Sequence, residues 1–387
     1  MQPQHSVYLD HAAATPLAAE VAEAIAAAQA MAFANPSSQH AAGRAARRLL
    51  EDARDRILHA LGGQGGGAGR DRLVFTSGAS EANHLAITGI AAGLSASGTV
   101  LFSRRDHASA VHAVHAVGRR GWRVVELPLD QSGRIAPSAF AVRLPEAVGS
   151  GPTLVSATLV CGQTGSIDTS WQQAPAAPLV HVDATQAAGL VPLAAAGLRA
   201  ATVSLAPHKF GGPRGIGALL IRGGVPLEPV LPGPQEHGLR GGTEAVPLAA
   251  GFARAVELAA SDREAAARRV AAVRDHLERR VLAAAREAGI PATVVAVEGP
   301  RCPQISTIAF AGLDRQALAM AADLAGVCLA TGTACASGSS EPAPALVAMG
   351  LPEPLVRGAV RFSVGRTTTA ADADLAVDRL APLLRRR

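Results

Sequence analysis

The sequence predicts an α/β fold with a mainly parallel sheet. Three observations predict it. Short apolar stretches alternate with helical ones over the first two-thirds of the 387 residues, the signature of strands joined by crossover helices. Clusters of glycine and proline punctuate the chain between them. Several of the apolar stretches end in residues that carry chemistry, and sheets of this kind bind ligands at their strand ends.

Taken in order, the candidate strands are Leu73–Thr76, Thr99–Phe102, Arg123–Leu127, Thr153–Thr158, Leu179–Asp183, Thr202–Ala206 and Gly217–Ile221. Gly62–Gly69 reads as a glycine-rich surface connector, and Gly223–Gly238 is too rich in glycine and proline for regular helix. From Glu244 to Gly289 the chain reads as helical, with a break near Ser261. Ser261 and Glu264 fit a capping box, while Gly289 and Pro291 fit a helix stop. Ala292–Arg387 reads as a smaller C-terminal α/β domain, with strands around Ile305–Phe310 and Val360–Val364. No internal repeat is visible.

Composition narrows the function classes. Hydrophobic residues make up 49% and charged residues 17%, as in a globular chain. Aromatic residues are only 3%, so the core must be built from small aliphatic side chains. No apolar run reaches the ~18 residues of a membrane span, and Met1–Val7 lacks the pattern of a signal peptide. Cys161, Cys302, Cys328 and Cys335 have neither disulfide-framework nor metal-like spacing. A reducing cytoplasm is the expected setting. The net charge is +5. Arginines and acids are nonetheless interspersed from Ser261 to Glu287, as on a solvated helix face, and the only compact basic run is Arg385–Arg387. Neither a nucleic-acid nor a membrane partner is expected. His112 and His115 stand three apart with no third ligand to name, so no metal is expected.

Lys209 is the only lysine in the chain. Arginine replaces lysine as a surface charge, but it stays protonated, whereas a lysine amine condenses with an aldehyde. Taken alone, Lys209 is equally a chance survivor of an arginine-rich composition. Its neighbours favour chemistry: it lies at a strand end, before a loop whose glycines admit a ligand close to the backbone. Phe75–Asn83 follows a strand and opens a helix, where the amides of Ala79 and Ser80 and the Ser80 hydroxyl suit a phosphate; an ordinary capped helix reads the same way. Asp183 ends an apolar strand, which suits the partner of a protonated pyridine nitrogen or a helix N-cap. His107 follows another strand and suits ring stacking and proton transfer, or simple packing. Cys335 is surrounded by small residues that expose a thiol and let it move; Cys328, among branched apolar residues, reads as buried and structural.

Together these stretches resemble the cysteine desulfurases, pyridoxal-phosphate (PLP) enzymes of the aminotransferase-like fold type I. The resemblance runs from Tyr8 to about Asp374 through Thr15–Leu17, Asn35–His40, Phe75–Gly89, His181–Gly189, Pro207–Arg222, Gly238–Pro247, Thr331–Ser337 and Arg361–Thr369, in the family's order. It implies a seven-stranded, mainly parallel sheet in a large domain (residues 15–255). Residues 1–14 and 256–387 would form a small domain carrying the cysteine loop. It also implies roles. Lys209 would carry the PLP aldehyde and shuttle a proton. His107 would stack on the ring, Asp183 would pair the ring nitrogen and Gln186 would meet the phenolic oxygen. Ala79, Ser80 and His208 would hold the phosphate, with Thr243 reaching in from a second subunit of a homodimer. Asn35 and Arg361 would receive the carboxylate of L-cysteine, since a guanidinium fork suits that group. Cys335 would take the sulfur as a persulfide, leaving alanine. The spacing from Cys335 to Ala348–Gly350 resembles the class with a long mobile cysteine loop, which passes sulfur to a scaffold or carrier protein.

Two departures stand out. Where the family has Asn-Asn-Glu-Thr-Gly, this chain has Cys161-Gly162-Gln163-Thr164-Gly165, so the asparagine that meets the ring oxygen is Gly162. Where the family has serine two residues before the His-Lys pair, this chain has Ala206. Weaker PLP retention is expected unless Gln163 or water compensates, since a hydrogen bond to a charged group contributes ~1.5–3 kcal/mol. His11 stands where asparagine is common. The readings left beside desulfurase are a related PLP lyase, such as one acting on selenocysteine, and a non-catalytic dimeric homologue serving as an interaction protein.

Overall fold

The computed structural model describes residues 6–63, 70–173, 178–193, 199–332 and 341–385. Cys335 lies outside the described residues, as do the last two arginines of the basic tail.

A short strand β1 (Val7–Tyr8) and helices α1 (Ala19–Met31) and α2 (Ala41–Ala60) open the chain. Then come β2 (Arg72–Thr76), α3 (Ala79–Gly93), β3 (Thr99–Ser103), α4 (Ala108–Gly118), β4 (Arg123–Leu127), α5 (Pro137–Gly149), β5 (Thr153–Thr158), β6 (Leu179–Asp183), β7 (Thr202–Leu205) and β8 (Gly217–Ile221). These strands form one seven-stranded sheet in the order β2-β8-β7-β6-β5-β3-β4. Strands β4, β3, β5, β6 and β7 run parallel to one another, and β8 runs against both of its neighbours, β7 and β2. Every residue of β3, β5, β7 and β8 is buried, as expected of strands covered on both faces.

Helices α6 (Val246–Ser261) and α7 (Arg263–Glu287) lead to β9 (Ala292–Val294), β10 (Ile305–Phe310), α8 (Arg315–Leu324), β11 (Val327–Cys328), α9 (Pro344–Ala348), α10 (Glu353–Arg357), β12 (Ala359–Ser363) and α11 (Ala370–Arg385). Strands β12-β10-β9 form an antiparallel sheet, and β11 pairs in parallel with β1. Val7 and Leu9 pack in a core with Ile308, Phe310, Val360, Phe362 and Leu380, so the start of the chain is built into its last third.

The expected strands Arg123–Leu127, Thr153–Thr158, Leu179–Asp183, Gly217–Ile221 and Ile305–Phe310 fall where the periodicity placed them; three others shift by one residue at one end, Val360–Val364 shifts by one at both, and the short β1, β9 and β11 were not expected. The capping box at Ser261 does not form. Ser261 is the last residue of α6 and turns its hydroxyl back to the Leu258 carbonyl, so the break falls at Asp262. The stop at Gly289 does form. Its φ is +69°, its amide bonds Arg286 O, and the amide of Ile290 bonds Ala285 O, the paired bonds of a Schellman motif.

Two buried arginines hold the sheet's margins. Arg54 makes a two-pronged bond to Glu236 (2.7 and 2.9 Å) and lies over the Phe75 ring. Glu236 also accepts the Phe75 amide at 2.7 Å, occupying a donor of the edge strand β2. Arg105, 1% exposed, donates to the carbonyls of Gly133 (3.1 Å), Thr158 and Ser166 (2.9 Å), with Asp168 at 3.8 Å. It thereby ties the loops after β4 and β5 to the turn after β3. Removing one member of a buried ion pair costs about 3–5 kcal/mol. Arg105→Met is expected to lose stability of that order in a denaturant titration, whereas Arg104→Met, which breaks an exposed pair with Glu126, should cost under about 1 kcal/mol.

Candidate active site

The parallel strands and β2 run in one direction, so their C-terminal ends open on one edge of the sheet. At that edge β2 turns into α3. Gly78 precedes the helix and offers no side-chain cap, and among the described residues no acceptor meets the amides of Ala79 and Ser80. The Ser77 amide instead donates to Glu81, which also accepts from Arg240. Gly217, at the start of β8, backs this turn: a Cβ there would lie 2.5 Å from the Gly78 carbonyl carbon. The turn is thus an open set of N–H donors at a helix N-terminus, suited to an anion.

Asp183 ends β6 and is 5% exposed. Its carboxylate accepts the Thr185 amide (2.9 Å) and the Asn83 amide group (2.8 Å). No α-helix follows it, so it is not the helix cap that the sequence allowed. Burial opposes its charge, but Thr185, nearby His107 and Asn83 outweigh burial and hold the carboxyl below its usual range. A buried carboxylate kept ionised asks for a cationic partner. His107 is exposed and caps α4, its Nδ1 accepting the Ser109 amide; it is neither at a strand end nor packed.

Lys209 lies in a single turn after β7. Its amine donates to the carbonyls of Ala12 (2.7 Å) and Ala13 (2.9 Å), and Gln186 donates to the same Ala12 carbonyl at 2.8 Å. Thr15 fastens this N-terminal segment, since its amide and hydroxyl both donate to His208 O and its hydroxyl accepts the Gly211 amide. His208 is half-buried, and burial with the charges of Lys209 and Arg214 pushes it down to about 4.

Arg361, 4% exposed on β12, donates to Gly162 O and to Asp10, both at 2.8 Å, while its buried Nε has no partner among the described residues. A substrate carboxylate would therefore compete with Asp10 for the guanidinium. Gly162 stands against Gln186, where a Cβ would make ordinary contact at 3.4 Å. Gln163 does not fill the missing position, because its side chain accepts the Ala345 amide and its carbonyl accepts Thr307. Asn35 is exposed in a turn, its side chain accepting the Ser37 amide, and Thr243 is exposed before α6. Cys335 falls outside the described residues; Cys161 and Cys302 are buried, and burial pushes Cys302 up to about 11. Cys328 is half-buried on β11, less enclosed than its neighbours suggested.

Asp10, Ala12, Asn83 and Ser109 join the predicted residues yet went unnoticed in the sequence. Only Asn83 left a signal: it is a polar residue on the apolar face formed by Ala82, Leu85 and Ala86.

The chain matches the aminotransferase class-V family over residues 7–376. It is 36% identical to a cysteine desulfurase of Cereibacter sphaeroides, over 98% of this chain and 95% of that one. A solved NifS-like protein superposes with a TM-score of 0.85 at 26% identity, covering 98% of this chain and 99% of that one. A structure of SspA in complex with cysteine gives 0.76 at 27% identity, covering 94% and 100%.

His11 gives the site's surroundings a pH dependence. It is 5% exposed with Nδ1 unpartnered, and burial, partly offset by Asp10, pushes it from 6.5 to about 4. The folded state then binds fewer protons than the unfolded one between those values, so His11's contribution is complete above pH 6.5 and is lost as pH falls toward 4. His11→Asn is expected to lower the slope of stability against pH in that window by up to about 1.4 kcal/mol per unit, measured by denaturation across pH.

Proposed function

We infer that this chain, which belongs to the aminotransferase class-V family, is a PLP-dependent cysteine desulfurase that converts L-cysteine to L-alanine and takes the sulfur onto Cys335. The observation that carries the reading is the placement of the sole lysine. It shares one sheet edge with a helix N-terminus open to an anion and with an ionised carboxylate buried at a neighbouring strand end. PLP fits these groups, having a phosphate, an aldehyde and a ring nitrogen that becomes cationic.

Ala79, Ser80 and His208 would hold the phosphate, Asp183 the ring nitrogen and Gln186 the ring oxygen, with Lys209 at the aldehyde. Bound PLP would supply an electron sink for the substrate's α-carbon. The chain's own residues supply the rest. Lys209, once released, carries a proton at its amine; the carbonyls of Ala12 and Ala13 are its seat. His107 stacks on the ring and moves a proton. Arg361 and Asn35 orient the substrate carboxylate, with Asp10 as the ion that Arg361 gives up. Cys335 attacks the substrate sulfur, so that an S–S bond forms as the C–S bond breaks. In this reading residues 15–255 carry the cofactor, and residues 1–14 with 256–387 carry the cysteine. Thr243, exposed in a single chain, completes the site of a second copy in a homodimer. A scaffold or carrier protein takes the sulfur onward. No described helix is long and apolar enough to cross a membrane, and a cytoplasmic setting suits a reactive thiol.

Wild-type protein with PLP and a thiol reductant is expected to release equal sulfide and alanine from L-cysteine. Lys209→Arg should lose PLP attachment and turnover. Cys335→Ser should keep PLP and lose sulfide; undiminished sulfide from it would move the sulfur elsewhere. Gly162→Asn restores a side chain beside Gln186, and a regained bond to a charged oxygen contributes ~1.5–3 kcal/mol. PLP titration of that variant should show binding at least about tenfold tighter.

A further inference from the structure

One buried hydrogen-bond chain runs through the site and uses residues that no step above assigns. Asn83, fully buried on α3, has both amide hydrogens and its oxygen engaged. Nδ2 donates to Asp183 (2.8 Å) and to the Ser109 hydroxyl (3.1 Å). Oδ1 faces His181 Nε2 at 3.0 Å and accepts the Ser204 hydroxyl. This orientation is fixed by chemistry, because the reverse would set the amide oxygen against a carboxylate. Burial holds His181 neutral, so its Nε2 proton goes to Asn83 and its Nδ1 accepts from Thr202 at 2.9 Å. The Ser109 amide donates to His107 Nδ1 at 3.2 Å, which makes that nitrogen an acceptor. The Ser109 hydroxyl, 2.8 Å from the same nitrogen and accepting from Asn83, therefore donates to it as well. Two donors therefore meet His107 Nδ1, which leaves the neutral ring its proton on Nε2.

We propose that Asn83 and Ser109 are positioning residues: Asn83 ties the Asp183 carboxylate to Ser109, and Ser109 fixes the His107 ring as the Nε2–H tautomer. The relay joins the group that faces the ring nitrogen to the group that faces the ring plane, and so deepens the desulfurase reading, on which its role in turnover rests. The tautomer itself belongs to the polypeptide and is present without PLP.

The test is ¹⁵N NMR of histidine-labelled protein, with and without PLP, the His107 signal being assigned by its loss in His107→Asn. Wild type is expected to show an unprotonated Nδ1 in both forms. Ser109→Asp replaces the hydroxyl donor with an acceptor at a helix N-terminal position that favours a negative charge. It should move the proton to Nδ1 and lower kcat on the order of tenfold or more, with little change in KM, as expected when a proton-transfer group is misaligned. Asn83→Asp sets a second carboxyl against Asp183, the two sharing a proton, and turns the donor facing Ser109 into an acceptor; it draws the Ser109 hydroxyl away from His107 and should leave mixed tautomers. Ser109→Thr keeps the hydroxyl and should match wild type in spectrum and kcat. A proton on Nδ1 in wild type, or an unchanged tautomer in Ser109→Asp whatever its rate, overturns the proposal. If wild type makes no alanine from cysteine but the tautomer follows these substitutions, the relay stands and the desulfurase reading has failed.

Discussion

The direction of the strands is the constraint on which the site depends. Parallel strands need crossover connections, so each returns to the same end of the sheet before it starts again. That geometry delivers Thr76, Ser103, Thr158, Asp183 and Leu205, the last residues of their strands, to one edge. The antiparallel β8 adds its first residue, Gly217, to the same edge. Residues far apart in sequence then meet at that edge, with the backbone of each held by sheet hydrogen bonds.

A strand end fixes where a loop begins but not where it goes. The loops here are directed by buried polar groups. Arg105 draws the carbonyls of Gly133, Ser166 and the last residue of β5, Thr158, to one guanidinium. The Arg54–Glu236 pair fixes the edge strand β2, from which the turn into α3 leaves. The N-terminal segment closes the arrangement from outside the sheet. Its β1 strand belongs to the second core, yet Ala12, Ala13 and Thr15 hold the lysine turn. Arg361 joins the same two regions, bonding Asp10 on one side and the Gly162 loop on the other.

Of the three departures only Gly162 is partly exposed, while His11 and Ala206 are buried like Asp183, Asn83 and His181. A hydrogen bond lost at a partly exposed position can be replaced by water, whereas an unpaired group in the buried network pays its full desolvation. Gly162 also keeps its backbone role, since its carbonyl holds Arg361 whatever its side chain.

Local chemistry was legible in the sequence because it is written locally. Periodicity gave the strands of four residues or more to within a residue at each end, though not the short β1, β9 and β11, and composition isolated Lys209. The capping box at Ser261 misled because its pattern is satisfied by a helix end as well as a helix start, and only the neighbouring carbonyls decide between them. His107 follows β3, but only the structure shows that it caps α4. Asn83 could be seen as a polar residue on an apolar face, but its partners lie on β6, β7 and α4, and no local pattern encodes pairs separated by 26 to 121 residues. The sequence by itself therefore determined the elements and the reactive groups, since propensity, periodicity and side-chain chemistry act over a few residues. Tertiary structure alone decided which groups are buried, which are paired and which tautomer a histidine holds, since these depend on distances that exist only once the chain has closed on itself.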